Sequence, residues 1–137
     1  MTLTESEVES ATLSWLSSLG YTSIFGPDIA PEEPAAERES FQESLLTRRL
    51  HDALRCLNPT IPADALDEAL RKVTRPESPS LLANNRTFHH LLIDGVSVEY
   101  QRKDGSIAGD HARMVDFEHP ENNEFLAINQ FTVIEGQ

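Results

Sequence analysis

The sequence predicts an α+β fold, with amino-terminal helices packed on a small, mainly antiparallel sheet formed by the carboxyl-terminal third. Three observations predict it. Apolar residues recur at helical spacing up to about residue 92. After Gly95 the hydrophobic period changes from 3.6 to 2. The element order, helices first and strands after, is not that of a repeating strand–helix–strand unit. At 137 residues the chain suits a single domain, residues 1–137, with a helical layer at about 5–92 and strands at about 96–134.

The first helix is expected over residues 5–19. Thr4 followed by Glu7 is a capping-box pattern, in which each side chain takes a backbone N–H of the other residue. Val8, Ala11, Trp15, Leu16 and Leu19 form one apolar face, and Gly20 is a left-handed stop. Gly26-Pro27 and the Pro31 to Pro34 segment then enforce a loop, onto which Tyr21, Ile24 or Phe25 can tuck against the first helix. One of these three can open a short extended piece.

A second helix is expected from about 38 to 57. Phe41, Leu45, Leu46, Leu50, Ala53, Leu54 and Leu57 mark its buried stripe, and Arg48 and Arg49 fall on its exposed side. Asn58-Pro59 ends it, since the residue before proline is pushed out of the helical region. Pro62 opens a third helix that runs to about 74 on Ala65, Leu66, Ala69, Leu70 and Val73. A fourth is expected from Leu81 to Leu92, with Leu82, Phe88, Leu91 and Leu92 inward, closed by Asp94-Gly95.

Val96, Val98 and Tyr100 alternate with Ser97, Glu99 and Gln101, as in a half-buried strand. Lys103-Asp104-Gly105 is a hairpin-type turn, followed by a strand at about 111–117. A third strand is expected at 125–134, apolar on both faces and therefore central. A central strand needs neighbours on both sides, so the stop at Gln137 reads as the truncation of a longer protein.

Composition bounds the function classes. The net charge of −12 opposes DNA at long range, so any grip on nucleic acid has to come largely from other segments or subunits. No apolar run is long enough to span a membrane, and MTLTESEVES lacks the basic start of a signal peptide. The lone Cys56 excludes an internal disulfide; with no sign of export, a reduced cytoplasmic protein is expected. Cys56 itself reads as a buried small hydrophobe of a leucine-rich helix.

Chemical motifs are sparse. There is no GxxxxGK[ST] phosphate loop and no HExxH. A lone cysteine excludes a cysteine-based zinc cluster. His89 and His90 diverge on one helix, so one is expected at the surface and one packed. Ser14, Ser17 and Ser18 have no nearby histidine to activate them. Glu5 and Glu7 compensate a helix start. Glu9 differs: with Leu13, Leu16 and Leu19 it lies close to the apolar stripe and can place a carboxylate beside the core.

Several segments resemble the opening of type I restriction enzyme R subunits: LTESEVESATLSWLSSLGY, LNPTIPADALDEALRKV, FHHLLIDGVSVEY and MVDFEHPENNEFLAINQFTV. The resemblance covers essentially the whole chain. It implies an α/β nuclease-like fold, the start of a PD-(D/E)xK nuclease domain that binds magnesium through an aspartate and a glutamate. Glu9 matches the family's accessory acid. The main catalytic motif would lie beyond Gln137, and Asp116, followed by Phe117, reads as a strand-end or turn carboxylate and not a substitute.

The resemblance further implies that the full-length subunit uses magnesium and ATP, translocates and cleaves DNA, and works with methyltransferase (M) and specificity (S) subunits. This chain carries no cofactor or metal of its own and is expected to be inactive alone. Arg48 and Arg49 are the candidate DNA contacts. Two further classes stand beside this one. The helical layer can be an interaction module docking the motor or modification subunits, or the chain can be an acidic DNA mimic that inhibits restriction.

Overall fold

A computed structural model describes residues 1–135. The elements in chain order are α1 (Glu5–Ser18), β1 (Thr22–Phe25), a 3-10 turn (Gly26–Ile29), α2 (Thr47–Leu57), α3 (Ala63–Thr74), α4 (Leu81–Asp94), β2 (Val96–Gln101), β3 (Ile107–Ala112), a second 3-10 turn (Pro120–Asn122) and β4 (Leu126–Asn129). The fold is mixed α+β, as the periodicity predicts. The strands form two separate ladders: β1 with β4, parallel, and β2 with β3, antiparallel. The expected mainly antiparallel sheet of the last third is thus half realised, because one strand of the parallel pair comes from the region before α2. The residues gather into two compact units, Met1–Arg49 with the segment from Glu124, and Leu50–Asn123.

In the first unit, α1 begins as its capping box dictates. Thr4 Oγ1 accepts from Glu7 N at 3.2 Å, and Glu7 Oε2 accepts from Thr4 N at 2.8 Å. These two backbone bonds hold the Glu7 carboxyl below its ordinary value, aided by the Thr4 hydroxyl. The buried face differs from the expected one. Val8, Trp15 and Leu19 are exposed, Trp15 by 70%, whereas Glu9, Leu13 and Leu16 are half-buried. The helix packs on β1 and β4 through this second stripe.

Two other expectations are corrected in this unit. Residues 38–46 are turns rather than helix, so α2 starts at Thr47, and Phe41 and Leu45 stand exposed. Arg38 is the physical reason: it is buried, and its Nη1 donates to Glu43 O at 2.8 Å and Thr132 O at 2.9 Å, which uses a carbonyl that a continuous helix would spend on its own ladder. The expected 125–134 strand ends at Asn129, because Gln130 adopts φ 52°, outside the extended region. Among the described residues β4 has one neighbour, β1.

The second unit holds a conventional core. Ile61, Ala65, Leu66, Ala69, Val96, Val98 and Ala112 are buried together, with Val73, Leu91, Tyr100 and Met114 against them. Here α3 packs on β2, burying the positions its 3.6 period predicts. The hairpin turns where expected, with Gly105 at φ 89°. However, β3 starts at Ile107, not at 111, because its inward residues are Ala108, Asp110 and Ala112, too small or polar to show an apolar alternation. On α4, Leu82 is 73% exposed and Phe88 45% exposed, and only Leu91 and Leu92 turn partly inward. His89 and His90 are both exposed, and so is Cys56, which lies off the α2 face that buries Leu54.

Candidate functional site

The β1–β4 ladder runs from Thr22 against Leu126 to Phe25 against Asn129. It is entered by Thr22 N donating to Phe125 O at 2.8 Å, and the Tyr21 ring leans on Phe125 at 5.3 Å between centroids. At its far end the two chains close up: a Cβ on Gly26 would collide with the carbonyl oxygens of Asn129 and Gln130, so only glycine fits. Gln130, in the left-handed region, turns the chain there.

Glu9 meets this turn from α1. Its Oε1 accepts from Asn129 Nδ2 at 2.9 Å and its Oε2 from Gln130 Nε2 at 2.7 Å. Beside it lies a cavity of about 390 Å³, lined by Glu9, Leu13, Leu16 and Tyr21 and by residues of β4. The sequence placed a carboxylate on this stripe but gave no sign of its partners. Asn129 and Gln130 are amides in an otherwise apolar alternation, and that was the signal available. A carboxylate with one amide donor on each oxygen is fixed in direction, keeps free lone pairs, and is apt for positioning a donor or a cation.

Arg48 and Arg49 are not joined to Glu9 by any hydrogen bond or ion pair among the described residues. Arg48 is exposed. Arg49 is half-buried and engaged: Nε and Nη2 reach the Glu37 carboxylate at 3.0 and 2.9 Å, and Nη1 pairs with Glu124. The Glu37 hydrogen bonds, then Glu124, hold its guanidinium above the ordinary value against the effect of burial. A phosphate contact by Arg49 would have to replace those pairs, whereas Arg48, of the two, has no hydrogen bond or ion pair among the described residues.

Asp116, in the second unit, is a loop organiser. It is 5% exposed. Its Oδ1 accepts from His119 N at 3.0 Å and Glu118 N at 3.2 Å, and its Oδ2 from Asn122 Nδ2 at 3.0 Å. Asn123 completes the clasp, accepting from Asp116 N at 2.8 Å and donating to Asp116 O at 2.8 Å. The aspartate, proline and two asparagines of DFEHPENN are thus one interlocked turn, with His119 in it as a loop residue. Among the described residues no three His, Cys, Asp or Glu side chains gather to hold a metal ion, so the residues present do not fit a magnesium site by themselves. No helix among them is long and apolar enough to cross a membrane.

Comparison with known proteins gives this arrangement a family. The profile described as "Type I restriction enzyme R protein N terminus" matches residues 2–137. The type I restriction enzyme HindI endonuclease subunit of Haemophilus influenzae is 37% identical over 131 residues, 96% of this chain and 12% of that protein. A Methanocaldococcus jannaschii protein carrying the provisional name of type I restriction enzyme MjaIXP endonuclease subunit is 32% identical over 126 residues, 92% of this chain and 12% of its own length. This chain therefore spans about an eighth of the length of either relative. No solved structure matches it. With the profile covering all but the first residue, the chain belongs to the family of type I restriction enzyme R protein amino-terminal regions.

Proposed function

We propose that this chain is one domain that begins the PD-(D/E)xK nuclease of an R subunit, and that Glu9 is its accessory acid. In full length such a subunit would couple ATP-dependent DNA translocation to magnesium-dependent double-strand cleavage. It would work in the cytoplasm with M and S subunits that recognise the DNA. The observation that carries the reading is the inward Glu9 carboxylate, aimed by Asn129 and Gln130 at the end of β4. An acid used only to compensate a helix start would point to solvent at the first turn, as Glu5 does.

The chain alone, with no phosphate loop in its sequence and no clustered set of metal ligands among the described residues, neither cuts DNA nor hydrolyses ATP on this reading. Of the two arginines singled out in the sequence, Arg48 is the one exposed to a phosphate. The test is Glu9→Ala in the full-length subunit assembled with its partners. DNA cleavage should fall by about 10²-fold, the scale of a positioned acid–base group, while DNA-stimulated ATP hydrolysis stays within about twofold of wild type. Equal loss of both activities would make Glu9 structural, and unchanged cleavage would remove it from the site.

A second reading, that the chain is an interaction module, is favoured by the exposed stripe of Val8, Trp15 and Leu19 on α1. On it, Trp15→Ser leaves the chain's thermal stability nearly unchanged and weakens its association with the rest of the subunit.

A further inference from the structure

Arg38 is the most deeply buried charged side chain among the described residues, at 4% exposure. Its guanidinium lies over the Phe131 ring, 3.9 Å from the centroid, with Phe41 at 5.7 Å. Nη1 is spent on the carbonyls of Glu43 and Thr132. No carboxylate among the described residues is within ion-pair distance of it. Its Nε is buried with no hydrogen-bond partner. Arginine has five N–H donors, and the Nε/Nη2 edge is one of the two that take an oxyanion in bidentate fashion. Here that edge is free of protein partners, while the other is partly committed to backbone.

Burial of a cation with neutral carbonyls and aromatic faces alone leaves its charge uncompensated, which is costly unless an anion completes the site. Arg38 also lines a cavity of about 300 Å³, together with Gly26, Gln130, Thr132 and Glu33. Glu33 is exposed and its charge opposes an anion, which puts the affinity at the weak end. Ion-pair rescue by Glu33 would need a contact that the structure does not make.

We propose that Arg38 and this cavity form a binding site for a single phosphate group, whether free phosphate or a phosphodiester of nucleic acid. The proposal does not rest on the nuclease reading, although Gln130 lines this cavity and also donates to Glu9. The test follows the arginine Nε–H resonances of the 137-residue chain by proton–nitrogen NMR. Sodium phosphate is titrated against sodium chloride at equal ionic strength and pH, and a thymidine dinucleotide with one internal phosphodiester is titrated in parallel.

The Arg38 resonance should move saturably with phosphate and not with chloride. Arg38→Lys, which loses the bidentate edge, assigns the resonance by its disappearance and weakens binding about tenfold, read by phosphorus NMR line width. Glu33→Gln, at an exposed position where misfolding is not an issue, should strengthen binding about threefold. Movement with both titrants supports a phosphodiester site, and movement with inorganic phosphate alone supports a free-phosphate site. A wild-type Arg38 resonance indifferent to both, or equally responsive to chloride, overturns the proposal.

Discussion

Asp116 shows how a single carboxylate can organise a turn. Its carboxylate accepts a side-chain hydrogen bond from Asn122 and a backbone one from His119, with Arg113 and His119 adding positive charge nearby. Together they hold it below its ordinary value of 3.8, with burial opposing. The sign of the consequence follows from linkage. The folded state prefers the ionised form more than the unfolded chain does, so the stabilisation is complete above the ordinary value. It is lost as pH falls from there through the lower folded value. Asp116→Asn should therefore lower the urea midpoint at pH 7, and the gap to wild type should close as the pH is taken below about 3.8. A gap that stays constant down to acid pH would mean that shape, and not charge, is what the turn needs. The sequence offered Asp116 as a strand-end or turn carboxylate, and the turn is what the structure shows, four residues past the end of β3. It did not show that Asn122 and Asn123 clasp it, because that ring of bonds depends on the turn being formed first.

Among the elements, legibility follows locality. The capping box of α1, the stripe of α3 and the alternation of β2 are written in residues a few positions apart, and all three are found as read. The parallel pairing of β1 with β4 joins residue 22 to residue 126, and nothing local announces it. The early start expected for α2 fails for the same reason: Arg38 bonds a carbonyl at Thr132, 94 positions away, and pulls its segment out of the helix. Asn58 was legible only as a stop before Pro59, yet it is buried and joins two elements. Its Nδ2 donates to Leu54 O and Arg113 O, each at 2.9 Å, and its Oδ1 accepts from Arg113 N at 2.6 Å. Asn58→Leu keeps the volume but strands the N–H and C=O of Arg113. It should cost about 3 kcal/mol in chemical denaturation, the scale of unsatisfied buried backbone groups. Amide hydrogen exchange should speed up first at Arg113, and a loss under 1 kcal/mol would show that water replaces the side chain without penalty.

For the whole molecule, the decisive quantity is charge. Twenty-three acids against eleven basic residues give −12, and the structure pairs Arg49 with Glu37 and Glu124 and buries Arg38 beside a small cavity, so neither adds to a solvent-facing basic surface. Candidate site residues were legible to different degrees for this reason. Glu9 could be picked out because an acid among leucines breaks a stripe, whereas the free or paired state of Arg48 and Arg49 depends on Glu37 and Glu124 arriving from elsewhere. Non-specific binding to duplex DNA is driven by neutralising phosphates with solvent-facing cations. A surface that carries twice as many acids as bases repels the duplex before any contact forms. The isolated chain should thus bind a 20-base-pair duplex no more tightly than about 10⁻⁴ M at 150 mM salt, the weak end of non-specific binding. Fluorescence anisotropy measures this directly. Lowering the salt should help little, because repulsion between the two net charges grows as screening falls. Micromolar affinity with a steep inverse dependence on salt would mean that a basic surface exists which the fold, as described, does not present.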